Sequence, residues 1–137
     1  MTAYRFLSDD WLTAIAELRL AYTETAADDP NAVTVNYTIT AVPFGASTRE
    51  FHSEYGRTYW AVGHVDAPTV SVNTDYHTMQ AIYRDRSPGL DALARAAEAG
   101  SVTFAGGGLD AYSAAIRAEY GNPKLAELLD RENEITA

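Results

Sequence analysis

The sequence predicts an α+β fold, a mostly antiparallel sheet with helices packed on one face. Three observations carry this reading. The elements run α-β-β-β-β-α-α-β-α-α, and four successive strands with short links favour antiparallel pairing. The segment from Val33 to Val42 alternates apolar and polar residues with the period of a half-buried strand. Two apolar-faced helices stand between a β-branched strand at Thr69–Val72 and a strand at Val102–Phe104, so both can lie across one sheet face.

Ser8 is a good N-cap, and Asp9 and Asp10 sit where carboxylates favour the helix dipole. Leu7, Trp11, Ile15, Leu18 and Tyr22 recur at helical spacing, which predicts a helix ending near Ala26. Asp28-Asp29-Pro30-Asn31 reads as a turn. In the strand that follows, Val33, Val35, Tyr37, Ile39 and Ala41 share one face. Thr34, Asn36, Thr38 and Thr40 share the other. Pro43-Phe44-Gly45 closes it.

Arg49 to Tyr55 alternates as well, Gly56-Arg57 can turn, and Tyr59 to Val65 reads as the next strand. After the Thr69–Asn73 strand, Asp75 or Thr74 caps a helix through Tyr83 that carries Tyr76, Met79 and Ile82. Arg84 to Ser87 reads as a loop. Pro88 suits the first turn of a helix carrying Leu90, Leu93, Ala94 and Ala97, with Gly100 as its C′ residue. Past Val102–Phe104 and three glycines, a helix from about Leu109 to Tyr120 is predicted. Gly121-Asn122-Pro123 breaks it, and a short helix over 124–131 ends the pattern.

At 137 residues the chain reads as one domain over 1–137, long enough to bury a core without metal or disulfide. With no cysteine, thiol catalysis and thiolate metal sites are excluded. The net charge of −9 argues against nucleic acid and against stable membrane association. The acids are dispersed, with small clusters at Asp9-Asp10, Asp28-Asp29 and Glu132 with Glu134, and read as solvated surface. No apolar run is long enough to span a bilayer and no signal peptide is apparent, so a cytoplasmic location is expected. The bias to Ala and to Arg over Lys points to a bacterial genome.

Candidate chemistry is sparse. Glu50, His52 and Glu54 share a strand face, but residues two apart lie about 7 Å apart, too far for one metal to take all three. They read as a solvated outer face, and no metal or cofactor is expected. His64 with Asp66 reads as a satisfied strand-end imidazole, and His77 begins a helix. Gly106-Gly107-Gly108 matches no phosphate-binding fingerprint and reads as a tight turn with close backbone packing. Arg84 and Arg86 flank Asp85 in a surface loop. The aromatic and aliphatic stripe is core by default.

The chain resembles the sterol carrier protein 2-like (SCP2-like) family of lipid-binding domains. Phe6-Leu7-Ser8-Asp9-Asp10-Trp11 is similar to the start of bacterial members, and Pro68 through Tyr76 to the family's strand-to-helix junction. Ala99 through Gly106 resembles its last strand. The resemblance implies a twisted five-stranded sheet, helices over one face and an apolar cavity between. On that template Tyr37, Ile39, Met79, Ile82, Tyr83, Leu90, Leu93 and Phe104 line the site, with Trp11, Ile15 and Leu125, and the C-terminal segment gates it.

The expected function is therefore binding or carriage of a hydrophobic small molecule such as a sterol, fatty acid or acyl-CoA, by a monomer or homodimer. The rival is a cyclase- or isomerase-type enzyme in the same pocket, with His64, His77, Tyr83 or Glu54 as acid or base. A third reading is an interaction module whose groove takes a partner helix.

Overall fold

The computed structural model describes residues 3–20, 33–55, 59–85, 87, 89–120 and 123–137. Its elements follow the predicted order: α1 (Asp9–Leu20), β1 (Val33–Thr40), β2 (Arg49–Tyr55), β3 (Tyr59–Val62), β4 (Val70–Asp75), α2 (Tyr76–Arg84), α3 (Asp91–Ala99), β5 (Val102–Gly106), α4 (Gly108–Tyr120) and α5 (Pro123–Glu134). The predicted continuation of α1 to Ala26 and the turns at Asp28–Asn31 and Gly56-Arg57 lie outside the described residues, as do Gly121 and Asn122.

The five strands lie in the order β3-β2-β1-β4-β5. Three ladders are antiparallel, but β1 and β4 run parallel. The expected antiparallel run of four strands is thus broken after β3. The reason is visible in the segment that leaves β3 at Gly63. It crosses the polar outer face of the sheet instead of turning back, and three side chains there hold it. The Asn36 amide donates to Val65 O at 2.9 Å and accepts from Val65 N at 3.0 Å. The His64 ring reaches Tyr37 O at 2.9 Å, and the His52 ring reaches Gly63 O at 2.8 Å. His52 is consequently buried rather than solvated. β4 then lands beside β1 on the far side from β2.

Period-two geometry and the register put Val35, Tyr37 and Ile39 on one face with Phe51, Ser53, Trp60, Val70, Val72, Val102 and Phe104. The helices cover this face. α1 packs on β3, α2 and α4 lie over β1 and β4, α3 sits on β5, and α5 closes against α1 and α4.

Helix ends follow local chemistry. Asp75 caps α2 through Thr78 N at 2.9 Å and Thr78 Oγ1 at 2.7 Å. α3 begins at Asp91, later than the sequence suggests, and Pro88 lies outside the described residues. Leu90 precedes it in a left-handed conformation (φ 51°), and the cap comes from further upstream. Asp85 Oδ2 accepts from Ala92 N at 2.9 Å, and Ser87 Oγ accepts from Asp91 N at 3.0 Å. Gly100 (φ 75°) ends the helix as expected. Gly106 and Gly107 let the chain close on β4, where Gly107 N donates to Thr69 O at 2.8 Å.

Candidate functional site: an aromatic interior and two clefts

The space between helices and sheet is occupied by rings. Trp60 of β3 stacks on Phe51 at 4.6 Å and meets Trp11 of α1 edge-on at 5.6 Å. Tyr37 stacks on Phe51 at 4.7 Å, and its hydroxyl donates to Tyr112 Oη of α4 at 3.1 Å. Phe6 and Tyr83 complete the cluster against Trp11 at 5.0 and 5.5 Å.

Among these rings sits a buried ion pair that the sequence reading missed. Arg19 of α1 donates from Nε to Glu132 Oε1 at 2.6 Å and from Nη2 to Oε2 at 3.2 Å. Tyr83 Oη donates to the same Oε2 at 3.2 Å. Arg19 is 4% exposed and Glu132 0%. The Arg19 guanidinium carbon lies 5.6 Å from the Trp60 ring centre. Glu132 is therefore no part of a solvated acid cluster. It stands one turn beyond Leu128 on the buried stripe of α5, as Arg19 stands one turn beyond Ile15 on that of α1, and spacing could have found both.

Three further polar atoms are buried without a partner among the described residues: Arg49 Nε, Ser53 Oγ and Trp60 Nε1. Ser53 and Trp60 face each other across the β2–β3 ladder. A native core pairs such atoms, and each exception calls for an explanation.

Among the described residues, two clefts open beside this interior. One, of about 250 Å³, runs between α1 and β3 and is lined by Trp60 with Leu12, Thr13, Ala16, Glu17, Ala61 and Val62. Val62 is 75% exposed at its rim. The other, of about 370 Å³, lies between α3 and α4, walled by Leu90, Leu93, Ala94 and Leu109 and edged by Asp110, Ser113 and Arg117.

Of the residues the sequence placed at a site, Leu90 and Leu93 line the α3–α4 cleft. Trp11, Ile15, Tyr37, Ile39, Met79 and Ile82 are buried in the common core, with Tyr83 and Phe104 packed against it. Leu125 lies in α5, and its side chain is outside the described set. The candidate acids and bases do not converge. His64 and Glu54 lie on the outer face, His77 is exposed on α2, and Tyr83 is turned inward onto Glu132. The acid nearest His64 Nδ1 is Glu50 at 3.6 Å, not Asp66. No group of three His, Asp or Glu residues that could hold a metal occurs among the described residues.

Two solved structures share the arrangement of strands and helices. Palmitated SCP2L2 from Aedes aegypti superposes with a TM-score of 0.53 at 12% identity, over 85% of this chain and 96% of that one. A conserved hypothetical protein from Thermus thermophilus, itself a candidate sterol carrier protein, gives 0.51 at 11% identity, over 100% and 94%. The fold is SCP2-like. No protein-family model matches the chain, and no curated protein matches it in sequence. The SCP2-like frame puts the sheet's inner face under the helices, where the resemblance implies an apolar cavity. Here that space holds the ring cluster and the Arg19–Glu132 pair. No helix among the described residues is long and apolar enough to cross a membrane.

Proposed function

We propose that this chain binds and carries a hydrophobic small molecule of the sterol, fatty acid or acyl-CoA kind. The observation that carries the reading is the apolar α1–β3 cleft, whose lining includes Trp60, an indole with a buried N–H that has no partner. An apolar ligand bearing one oxygen would fill the cleft and, once the rings part, accept from Trp60 Nε1, with Ser53 Oγ opposite. Pockets for small molecules are built this way, mostly apolar with a few placed polar groups. The fold supports the same reading, since the Aedes aegypti protein of this architecture is palmitated.

In this proposal Trp11, Ile15, Tyr37 and Tyr83 surround the ligand's inner end. Ile39 and Phe104 form the bed on the sheet, Met79 and Ile82 of α2 cover it from above, and Leu90 and Leu93 wall a second opening. Leu125 belongs to the closing helix. Because rings now fill the interior, entry requires them to part, and α5 is the element whose movement would allow it.

The test is displacement of a fluorescent stearate by palmitate, cholesterol and palmitoyl-CoA. Saturable binding, displaced by at least one competitor and weakened in Val62→Asp and Ala16→Trp, is expected. No binding up to the solubility limit of any probe would remove the reading.

A further inference from the structure

We propose that Arg19 is the receptor for a ligand carboxylate and that Glu132 occupies its place in the ligand-free protein, so that the ligand is a long-chain acid and α5 its internal competitor. This deepens the reading above and rests on it.

The geometry of the pair carries the argument. A guanidinium presents a rigid fork that matches a carboxylate bidentately, and Arg19 holds Glu132 in that manner, at 2.6 and 3.2 Å. Both groups are sealed from water. Desolvating an arginine and a glutamate is costly, and apolar residues of similar size commonly serve stability as well or better. A pair kept in that position is better explained by use. Its surroundings suit an acyl chain: Trp60 packs on the guanidinium at 5.6 Å, and Trp60 also lines the apolar α1–β3 cleft. The cleft and the cation therefore meet at one side chain.

Of the neighbouring donors, one already serves the Glu132 carboxylate and one is unsatisfied. Tyr83 Oη donates to Glu132 Oε2 at 3.2 Å, and Trp60 Nε1 is a buried donor with no acceptor. A ligand acid on Arg19 would inherit the tyrosine bond and could satisfy the indole, which Glu132 does not. Glu132 reaches Arg19 from α5, whose C-terminal end is held separately: Tyr4 N donates to Ile135 O at 2.6 Å and Ala137 N to Tyr4 O at 2.7 Å. Exchange of one carboxylate for the other would release the helix side of this contact while the terminal bridge keeps α5 on the molecule.

The experiment compares palmitate with hexadecanol, the same chain with and without the acid, on the full chain and on Glu132→Gln and Arg19→Met. The wild type is expected to favour palmitate by roughly tenfold, the size of one good charge-assisted contact. Glu132→Gln should tighten palmitate by about the same factor and leave hexadecanol unchanged. Arg19→Met should abolish the preference while hexadecanol still binds. If Arg19→Met does not fold, the neutral pair Arg19→Gln with Glu132→Gln replaces it, with the same expectation. Equal affinity for both probes in all proteins would overturn the carboxylate receptor and leave hydrophobic carriage standing. Failure of both probes to bind any of the proteins would overturn the carriage reading and this proposal with it.

Discussion

Arg19 and Glu132, 113 residues apart in the chain, meet in a two-bond ion pair that joins the first helix to the last and is closed to solvent. Nothing else among the described contacts links those helices by charge. The fold's last element is thus held by an interaction that water cannot replace.

Removing one partner leaves the other charged, buried and unmatched. Glu132→Ala should destabilise the protein by about 3–5 kcal/mol, whereas Arg19→Met combined with Glu132→Leu should recover most of that loss. Urea unfolding of the two singles and the double checks it. A double variant as unstable as either single would show that the site depends on the charges themselves.

The two helix-capping carboxylates predict a dependence on acid. The Thr78 hydroxyl is the main cause that holds the Asp75 carboxyl below its ordinary 3.8; burial opposes it, and the Thr78 amide adds to it. At Asp85 partial burial pulls upward, but the amides of Ala92 and Ser87, the Ser87 hydroxyl and the charge of Arg95 outweigh it and hold the group low. Both groups lose protons more easily folded than unfolded. Their contribution is complete above the unfolded value of 3.8 and fades as pH falls through the lower folded values. Asp85→Asn should lower the melting temperature at neutral pH and flatten its fall below about pH 5. Melting curves of wild type and variant that run parallel down to the acid limit would contradict this.

How far the sequence could be read is clear from particular residues. Alternation placed β1 and β2 because one face of each is buried, and Val35, Tyr37 and Ile39 point inward as their pattern requires. Alternation tells which face a residue shares, not which strand lies beside it. The parallel β1–β4 pairing depends on Asn36, whose amide clamps Val65 and which reads in sequence as one more polar outer residue. Arg19 and Glu132 escape for the opposite reason. Their spacing puts them on buried stripes, but their charge argues for solvent. Asp85 reads as loop surface because Ala92 N, which donates to it, becomes its neighbour only once α3 has formed, as does Asp91 N for Ser87 Oγ. Trp60 is legible as a strand residue. That its indole N–H is left unpaired is not, since partnership depends on three elements at once.

Gly106 is the point where β5 closes on the start of β4. A Cβ there would lie 2.7 Å from Thr69 O, and the residue holds φ +79°. Gly106→Ala combines a backbone clash with a left-handed conformation that costs an L-residue about 1–2 kcal/mol before the clash is counted. A loss of more than about 2 kcal/mol in urea is therefore expected. A neutral result would mean that the turn has another conformation open to it. Gly108, with open space around its position at φ +72°, should show only the conformational part.

Ser53 Oγ and Trp60 Nε1, two of the unpartnered polar atoms, give the most direct test of the ligand-free interior. Ser53→Ala deletes a buried hydroxyl that bonds to nothing described, and Trp60→Phe deletes the indole N–H while keeping a ring to stack on Phe51. A buried donor without an acceptor costs about 1–3 kcal/mol, so Ser53→Ala should stabilise the free protein by a part of that amount. Trp60→Phe also loses ring volume, and its net change should lie near zero because the cavity left behind offsets the gain. The same two variants should bind palmitate more weakly than wild type, since each removes a donor that the ligand's oxygen would use. Opposite signs for stability and affinity at one side chain identify a group held ready for a ligand. Ser53→Ala that destabilises the free protein by more than about 1 kcal/mol would show that its hydroxyl already has a partner, and the interior would then be a finished core.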